Sequence, residues 1–282
     1  IAITHRLLDA MQERDSADLL DAFAFPLPVT VIAELLGVPV EDQDRFREWT
    51  NTIMTPPADG DFTHLMHAGQ QFLQYFQDIL EQRRAAPRDD LISALLAAEE
   101  QGDRLGPQEL LGMMFLLLIA GHETTVNLIG NGTLALLRHP EQLERLRARP
   151  ELIESAVEEM LRYESPVECS TSRFTVEDTE FHGQLIPAGE MVVAGLLAAN
   201  HDPEQFPEPE RFDITREPTR HIAFGFGIHF CLGAPLARLE GTIALNALLE
   251  RLPGLRLAEE PEALRWRPRA IVRGLQRLPV AW

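Results

Sequence analysis

The chain has 282 residues, of which 45% are hydrophobic, enough to bury a large core in one big domain or two small ones. A formal net charge of −19 argues against nucleic acid or an anionic membrane surface as the main partner. Two cysteines that lie far apart, Cys169 and Cys231, supply no disulfide framework and fit a reducing compartment.

All 25 basic residues are arginine. Arg265, Arg267, Arg269, Arg273 and Arg277 crowd the C-terminal end, as a solvated face near a strand pair would. No signal peptide is visible, and the longest near-apolar stretch, 110–121, is too short to span a bilayer and reads as a buried core helix. These features predict a cytoplasmic protein without a membrane anchor. Residue 1 is isoleucine, and Ile3, Leu7, Leu8 and Met11 already carry a helical pattern, so the sequence is expected to begin inside a longer protein.

Up to about residue 105 the pattern is helical, punctuated by Pro26, Pro28, Gly37, Pro39, Pro56, Pro57, Gly60 and Pro87. Val29, Ile32, Ala33 and Leu36 make one apolar face, and Phe62, Leu65, Met66, Phe72, Leu73, Phe76 and Leu80 a longer one. Asp89 and Asp90 suit the N-cap of a helix through Leu95 and Leu96. The segment 52–61 reads as a loop, either a plain connection or the hinge of a lid.

A helix of roughly 45 Å is predicted over about 107–137, almost wholly apolar until Ala120-Gly-His-Glu-Thr-Thr125. Gly121 inside a helix costs about 1 kcal/mol relative to alanine, and an acid and two hydroxyls follow it at once in a buried setting. On one reading Thr124 and Thr125 bond back to the carbonyls of Ala120 and Gly121 while Glu123 reaches solvent. On the other, the small residues open a groove beside a bound ligand where Thr124 and Glu123 handle protons.

The helix after Pro150 holds Glu159 and Arg162 at i,i+3, ordinarily a surface contact worth about 0.2–0.5 kcal/mol. The period then changes. Residues 173–181, 184–186 and 191–193 read as short strands, joined by turns at His182-Gly183 and Pro187-Ala-Gly189. Arg173 opens this region, where an edge charge would limit aggregation. Residues 270–274, beginning at Ala270, read as a strand turn.

Most informative is the stretch 221–233, which sets Cys231 between flexible glycines and a helix begun by Pro235, with Leu236, Leu239, Ile243 and Leu248 proposed along one face. The start of a helix suits an anionic ligand or a nucleophile. A small buried hydrophobe is the plain alternative for Cys231. Zinc is less well served, because His229, Cys231 and, at greater distance in sequence, His221 lack a fourth ligand. A dinucleotide loop fails because the third glycine position holds Phe230. A haem iron held by one thiolate remains.

Phe224-Gly-x-Gly-x-His-x-Cys-Leu-Gly233 resembles the haem-binding signature of the cytochrome P-450 superfamily at every fixed position. Ala120-Gly-x-acid-Thr124 resembles the superfamily's oxygen-activating motif, and Glu159-x-x-Arg162 and Pro209-Glu-Arg-Phe212 follow in the expected order. The resemblance implies a mainly α fold with a small β region (α+β), lacking the family's N-terminal portion. It treats 1–282 as a single catalytic domain: a helical part to about 165, short strands over about 173–195, the loop 221–233, a helix over about 234–252 and C-terminal strands over about 255–282.

The same resemblance implies roles. Cys231 would be the axial ligand of the iron of haem b, within a cradle that includes Ala120, Gly121, Phe224, Gly225 and Gly233. Arg173, His221 and His229 would reach the haem propionates. Thr124 would hydrogen-bond bound oxygen and Glu123 connect it to a proton supply. Glu159, Arg162 and Arg211 would form a structural triad, and Leu117, Thr125, Val167, Cys169, Ile271 and Val272 would line a substrate pocket. The implied activity is O2-dependent insertion of one oxygen atom into a small lipophilic substrate. Electrons derived from NAD(P)H would arrive through a ferredoxin-type donor and its reductase. Two alternatives stand beside it: a phenol-coupling or peroxide-using haem-thiolate enzyme, and a non-catalytic, haem-free remnant.

Overall fold

Thr4, Leu8 and Met11 recur at helical spacing and are buried in α1 (Ala2–Gln12), which packs on a long helix near the other end of the chain. The structure is a computed structural model that describes residues 1–54, 60–100, 105–217, 220–268 and 271–282. The sequence reading takes 1–282 as one domain. The folded chain groups into two compact units, Ile1–Ala24 with Thr124–Trp282, and Phe25–Glu123.

In the unit Phe25–Glu123, two prolines start α2 (Pro26–Leu36), which ends where Gly37 takes φ 78°, a left-handed conformation that suits glycine. Helices α3 (Gln43–Met54), α4 (Thr63–Ala85) and α5 (Leu91–Glu100) follow. Their core is aromatic: Phe72 and Phe76 stack with ring centroids 4.7 Å apart, with Phe46 and Trp49 beside them. Phe72, Phe76 and Leu80 are buried as expected, but Phe62, Met66 and Leu73 are exposed. The buried stripe of α4 runs through Ala68, Phe72, Phe76, Ile79 and Arg83 instead. Asp90 caps α5, accepting the Ser93 N–H at 2.8 Å on Oδ1, while Oδ2 takes the Nε of buried Arg83 at 2.5 Å. Of the segment 52–61 suggested as a hinge, 52–54 belong to α3, and 55–59, with Pro56 and Pro57, lie outside the described residues.

Helix α6 (Pro107–Arg138) has 32 residues and falls partly in each unit. It is helical throughout, with no break at Gly121, whose missing Cβ leaves room for Ile32: a methyl there would stand 3.3 Å from Ile32 Cδ1. By length and composition alone α6 could cross a membrane, with a mean hydropathy of 1.4 over its apolar window. This corrects the expectation drawn from 110–121, since apolar residues continue beyond that stretch. Half of the window is buried in protein, as in the core helix of a globular fold.

In the other unit, α7 (Pro140–Ala148) and α8 (Ile153–Tyr163) lead to the short strands. Strand β1 (Ser16–Asp18), too short for a period to show in the sequence, pairs antiparallel with β7 (Pro279–Ala281), which pairs with β6 (Arg256–Leu257). The predicted strand 173–181 divides: β2 (Arg173–Phe174) pairs with β5 (Met191–Val192), and β3 (Thr179–Phe181) with β4 (Gln184–Ile186). The expected turns are present, with φ of 49° at His182, 76° at Gly183 and 85° at Gly189. Helices α9 (Leu196–Asn200) and α10 (Ala234–Arg251) complete the unit, and α10 packs on α8 and α1. The C-terminal arginines are not simply a solvated face. Arg273 bonds Glu164 at 2.7 Å and Glu168 at 3.0 Å over the Trp266 ring. Burial pushes Arg267 down, and Arg269 lies outside the described residues. The chain is thus mainly helical with small sheets, the fold class expected from the sequence.

Candidate functional site

Gly225 and Gly227 take φ of 73° and 72°, so the chain turns twice where side chains would be strained. The Gly225 N–H donates to the Ile222 carbonyl at 2.8 Å, and the Cys231 N–H returns to the Phe224 carbonyl at 2.9 Å. Gly233 then precedes α10, with Pro235 in its first turn. Cys231 ends as an exposed free thiol, which removes the reading of it as a buried hydrophobe. Around it Phe226, Ile228, Phe230 and Leu232 are exposed at 88, 98, 52 and 82%. His229 is exposed in the same loop. Of the face expected for the helix that follows, Leu248 is buried, Leu236 and Ile243 are half-buried and Leu239 is 56% exposed, while Ala234, Gly241, Ala244 and Leu245 also face inward.

On α6, Leu116, Ala120 and Thr124 fall at four-residue spacing, the first two exposed and the third half-buried. Glu123 is 5% exposed, so the reading in which it reaches solvent is corrected. His122 is also buried, its Nδ1 2.8 Å from the Leu118 carbonyl and its ring edge-on to Phe25, and burial pushes its pKa down. Thr125, assigned to a substrate pocket, is 2% exposed, and its side chain hydrogen-bonds Glu240 of α10. Burial raises Glu240 to about 7 against the opposing effect of that bond. Sequence reasoning missed Glu240. The available signal was an acid on the face of α10 that carries Gly241, Ala244 and Leu248.

Behind the loop lie two ion-pair networks. Glu159 and Arg162 face each other fork to fork at 2.8 and 2.9 Å, both buried, and Arg162 Nη1 also holds the carbonyls of Asn200 and Pro209. The third member of this network is Arg216, whose Nε is 3.2 Å from Glu159. Arg211, the expected third member, turns outward to Glu208 and Asp213 at 55% side-chain exposure, and only its carbonyl takes part, accepting from Arg162 and Arg216. The second network was not foreseen. Glu158 accepts from Arg238 Nε at 2.6 Å and Nη2 at 3.0 Å, and faces His221 Nε2 at 3.0 Å. Burial would raise the Glu158 carboxyl, but the bonds from His221 and Arg238 outweigh it and hold it at about 2. His221, with 5% side-chain exposure and its Nδ1 accepting the Ala223 N–H, is therefore committed to Glu158 and not presented to a propionate.

Arg173 is exposed, and its Nη1 donates to Thr171 and Ser172 close by. Val167 bridges Val272, Cys169 bridges Gly195, and the Glu168 N–H meets the Ile271 carbonyl at 2.8 Å, so these four lining candidates are neighbours. Leu117 is half-buried on α6, and Ala270 lies outside the described residues.

These residues fit a haem. An exposed thiol is ringed by open apolar side chains that a broad flat apolar group would cover, and the exposed Arg173 guanidinium and His229 imidazole stand on the same unit. Among the described residues no three His, Cys, Asp or Glu side chains gather to hold a metal, so Cys231 would be a lone protein ligand to an iron whose remaining donors a macrocycle brings.

Comparison with known proteins agrees. The family model for cytochrome P450 matches residues 46–253. Cytochrome P450 107B1 of Saccharopolyspora erythraea is 53% identical over 99% of this chain and 68% of that protein. Two solved structures superpose closely. The cytochrome P450 PksS of the Bacillus subtilis 168 bacillaene polyketide synthase has a TM-score of 0.95 at 48% identity, over 99% of this chain and 72% of the other. The myxobacterial CYP267B1, solved in complex with myristic acid, has a TM-score of 0.94 at 53% identity, over 99% and 70%. With the thiol loop, the long α6 and the buried Glu159–Arg162 pair in place, the chain belongs to the cytochrome P450 family.

Proposed function

We propose that this oxygen-incorporating oxidoreductase is a haem-thiolate monooxygenase that inserts one atom of O2 into a small lipophilic molecule. The observation that carries the reading is the exposed Cys231 thiol in its double-glycine loop ahead of α10. Cys231 would hold the iron of haem b, with Arg173 and His229 available for the propionates. When bound, that group supplies oxygen activation, helped by electron density from the thiolate.

The chain's own residues then position and supply. The Phe224 carbonyl fixes the Cys231 backbone, and Phe226, Ile228 and Leu232 offer apolar contact that excludes water. Thr124, half-buried on α6, holds a hydroxyl proton, with the buried carboxyl of Glu123 next to it in sequence. Val167, Cys169, Ile271 and Val272 supply a largely apolar lining, which suits a lipophilic substrate, as does the myristic acid of the myxobacterial relative. Electrons derived from NAD(P)H and delivered by a ferredoxin-type donor with its reductase, in the cytoplasm, belong to the same proposal. Likeness to bacterial members of the family supports it.

The test is the absorption spectrum of the protein reconstituted with haem, reduced with dithionite and exposed to carbon monoxide. A Soret band shifted to the red of an ordinary haem–CO complex is expected, and lost in Cys231→Ser. Absence of any haem band would overturn the reading in favour of a haem-free role.

A further inference from the structure

Glu158 and Arg238 belong to different helices, α8 and α10, and meet bidentately at 2.6 and 3.0 Å. The Arg238 guanidinium lies 4.5 Å above the Phe224 ring, and the Phe224 carbonyl receives the Cys231 N–H at 2.9 Å. His221, on the same carboxylate, closes the group with its ring 6.1 Å from that of Phe224. One cation, neutralised by one carboxylate, thus sits on the aromatic residue that anchors the thiol loop. Both side chains keep contact with water, Arg238 at 39% and Glu158 at 36% exposure.

We propose that Glu158 and Arg238 are positioning residues that act as a compensated charge pair behind Cys231 and set how readily an iron bound there accepts an electron; the inference rests on the haem-thiolate reading above. Reduction of ferric to ferrous iron adds one electron from an external donor, moves no proton and leaves the centre one unit more negative. A cation nearby favours the reduced form and an anion disfavours it. As a pair the two charges largely cancel. Removing either alone exposes the other, so the two single changes push the potential in opposite directions.

The experiment is a spectroelectrochemical titration of the haem-loaded full chain and its Glu158→Gln, Arg238→Gln and double variants, at low and high salt. Glu158→Gln is expected to raise the midpoint potential, Arg238→Gln to lower it, and the double variant to return close to the parent. Both single shifts should shrink at 1 M salt, because partly exposed charges are screened. Arg238→Lys, which keeps the charge without the fork, should stay near the parent. Carbon-monoxide spectra of each variant report whether the thiolate is retained. If Arg238→Gln loses it, Glu158→Gln decides, and an unchanged or lowered potential overturns the proposal. Shifts of the same sign in both single variants also overturn it, since a merely structural role produces that result. A chain that takes up no haem fails at the spectrum and removes the haem-thiolate reading itself, whereas thiolate-bound haem with uncorrelated potentials removes only the charge pair.

Discussion

The Thr125 side chain of α6 hydrogen-bonds the Glu240 carboxyl of α10, tying the helix that carries Thr124 to the helix that follows Cys231. Among the described residues Glu240 Oε2 has no hydrogen-bond partner, and Glu240 is 7% exposed, so the charged form of this carboxyl is poorly solvated. Burial consequently raises it to about 7, well above the usual carboxylate range, with the Thr125 bond opposing.

A carboxyl raised on folding binds its proton more tightly in the folded chain than in the unfolded one. Its contribution to stability is therefore complete below its unfolded pKa, near 4.5, and declines as pH rises towards about 7. The decline amounts to roughly 3 kcal/mol at most, by the rule of about 1.4 kcal/mol per pKa unit. Glu240→Gln should remove it. Thermal unfolding of parent and variant from pH 5 to pH 8 checks this, and the parent should lose stability relative to Gln across that interval. Parallel profiles would mean that Glu240 is charged in the folded chain.

The ion-pair network behind the loop separates two arginines five residues apart. Arg216→Ala withdraws a cation from a buried carboxylate and is expected to destabilise by about 1–3 kcal/mol. Arg211→Ala removes an exposed side chain whose carbonyl does the bonding, and should cost within about 0.5 kcal/mol. Arg162→Ala strands Glu159 and unties the carbonyls of Asn200 and Pro209, for about 3–5 kcal/mol. Chemical denaturation of the three variants side by side checks the order. Equal losses for Arg211 and Arg216 would return the triad to its sequence-based form.

Thr124→Ala tests the proton role on α6. The variant should keep haem and continue to consume oxygen, but should release hydrogen peroxide in place of product, lowering product per electron pair by roughly tenfold or more. Oxygen uptake, peroxide and oxidised product, measured with a small lipophilic probe, decide it. Unchanged coupling would sink the assignment.

The thiol loop and the long helix could be read from the sequence because backbone chemistry and patterning specify them: two glycines at positive φ, a proline in the first turn, a long helix apolar over its first half. Short-range signals also gave the Asp90 cap and the turn at His182-Gly183. What escaped depended on partners distant in sequence. Arg216 could not be told from Arg211 without knowing which side chain turns inward, because both lie near Pro209 and only the fold brings one to Glu159. Glu158 sits beside Glu159 in the chain, yet the helix points the two carboxylates at different arginines, 238 and 162. Strand β1 has three residues, too few for an alternation to show, and it exists because β7 pairs with it.

Two glycines in the unit Phe25–Glu123 should respond to alanine with opposite signs. Gly37 takes φ 78°, and a Cβ there would stand within 3 Å of three atoms of the Asp90 side chain, which is itself held by Arg83 and Ser93. The clash cannot be relieved by letting Asp90 swing away, because that would uncap α5 and unpair the buried Arg83. Gly37→Ala is therefore expected to cost about 2–4 kcal/mol, combining left-handed strain with overpacking and a weakened cap. Gly69 lies within α4, where a Cβ would meet no atom of the described residues within 4 Å. Gly69→Ala gains helix propensity and a less disordered unfolded chain, for up to about 1 kcal/mol of added stability. Urea unfolding followed by circular dichroism measures both, and destabilisation by Gly69→Ala would show that α4 meets a neighbour at that position.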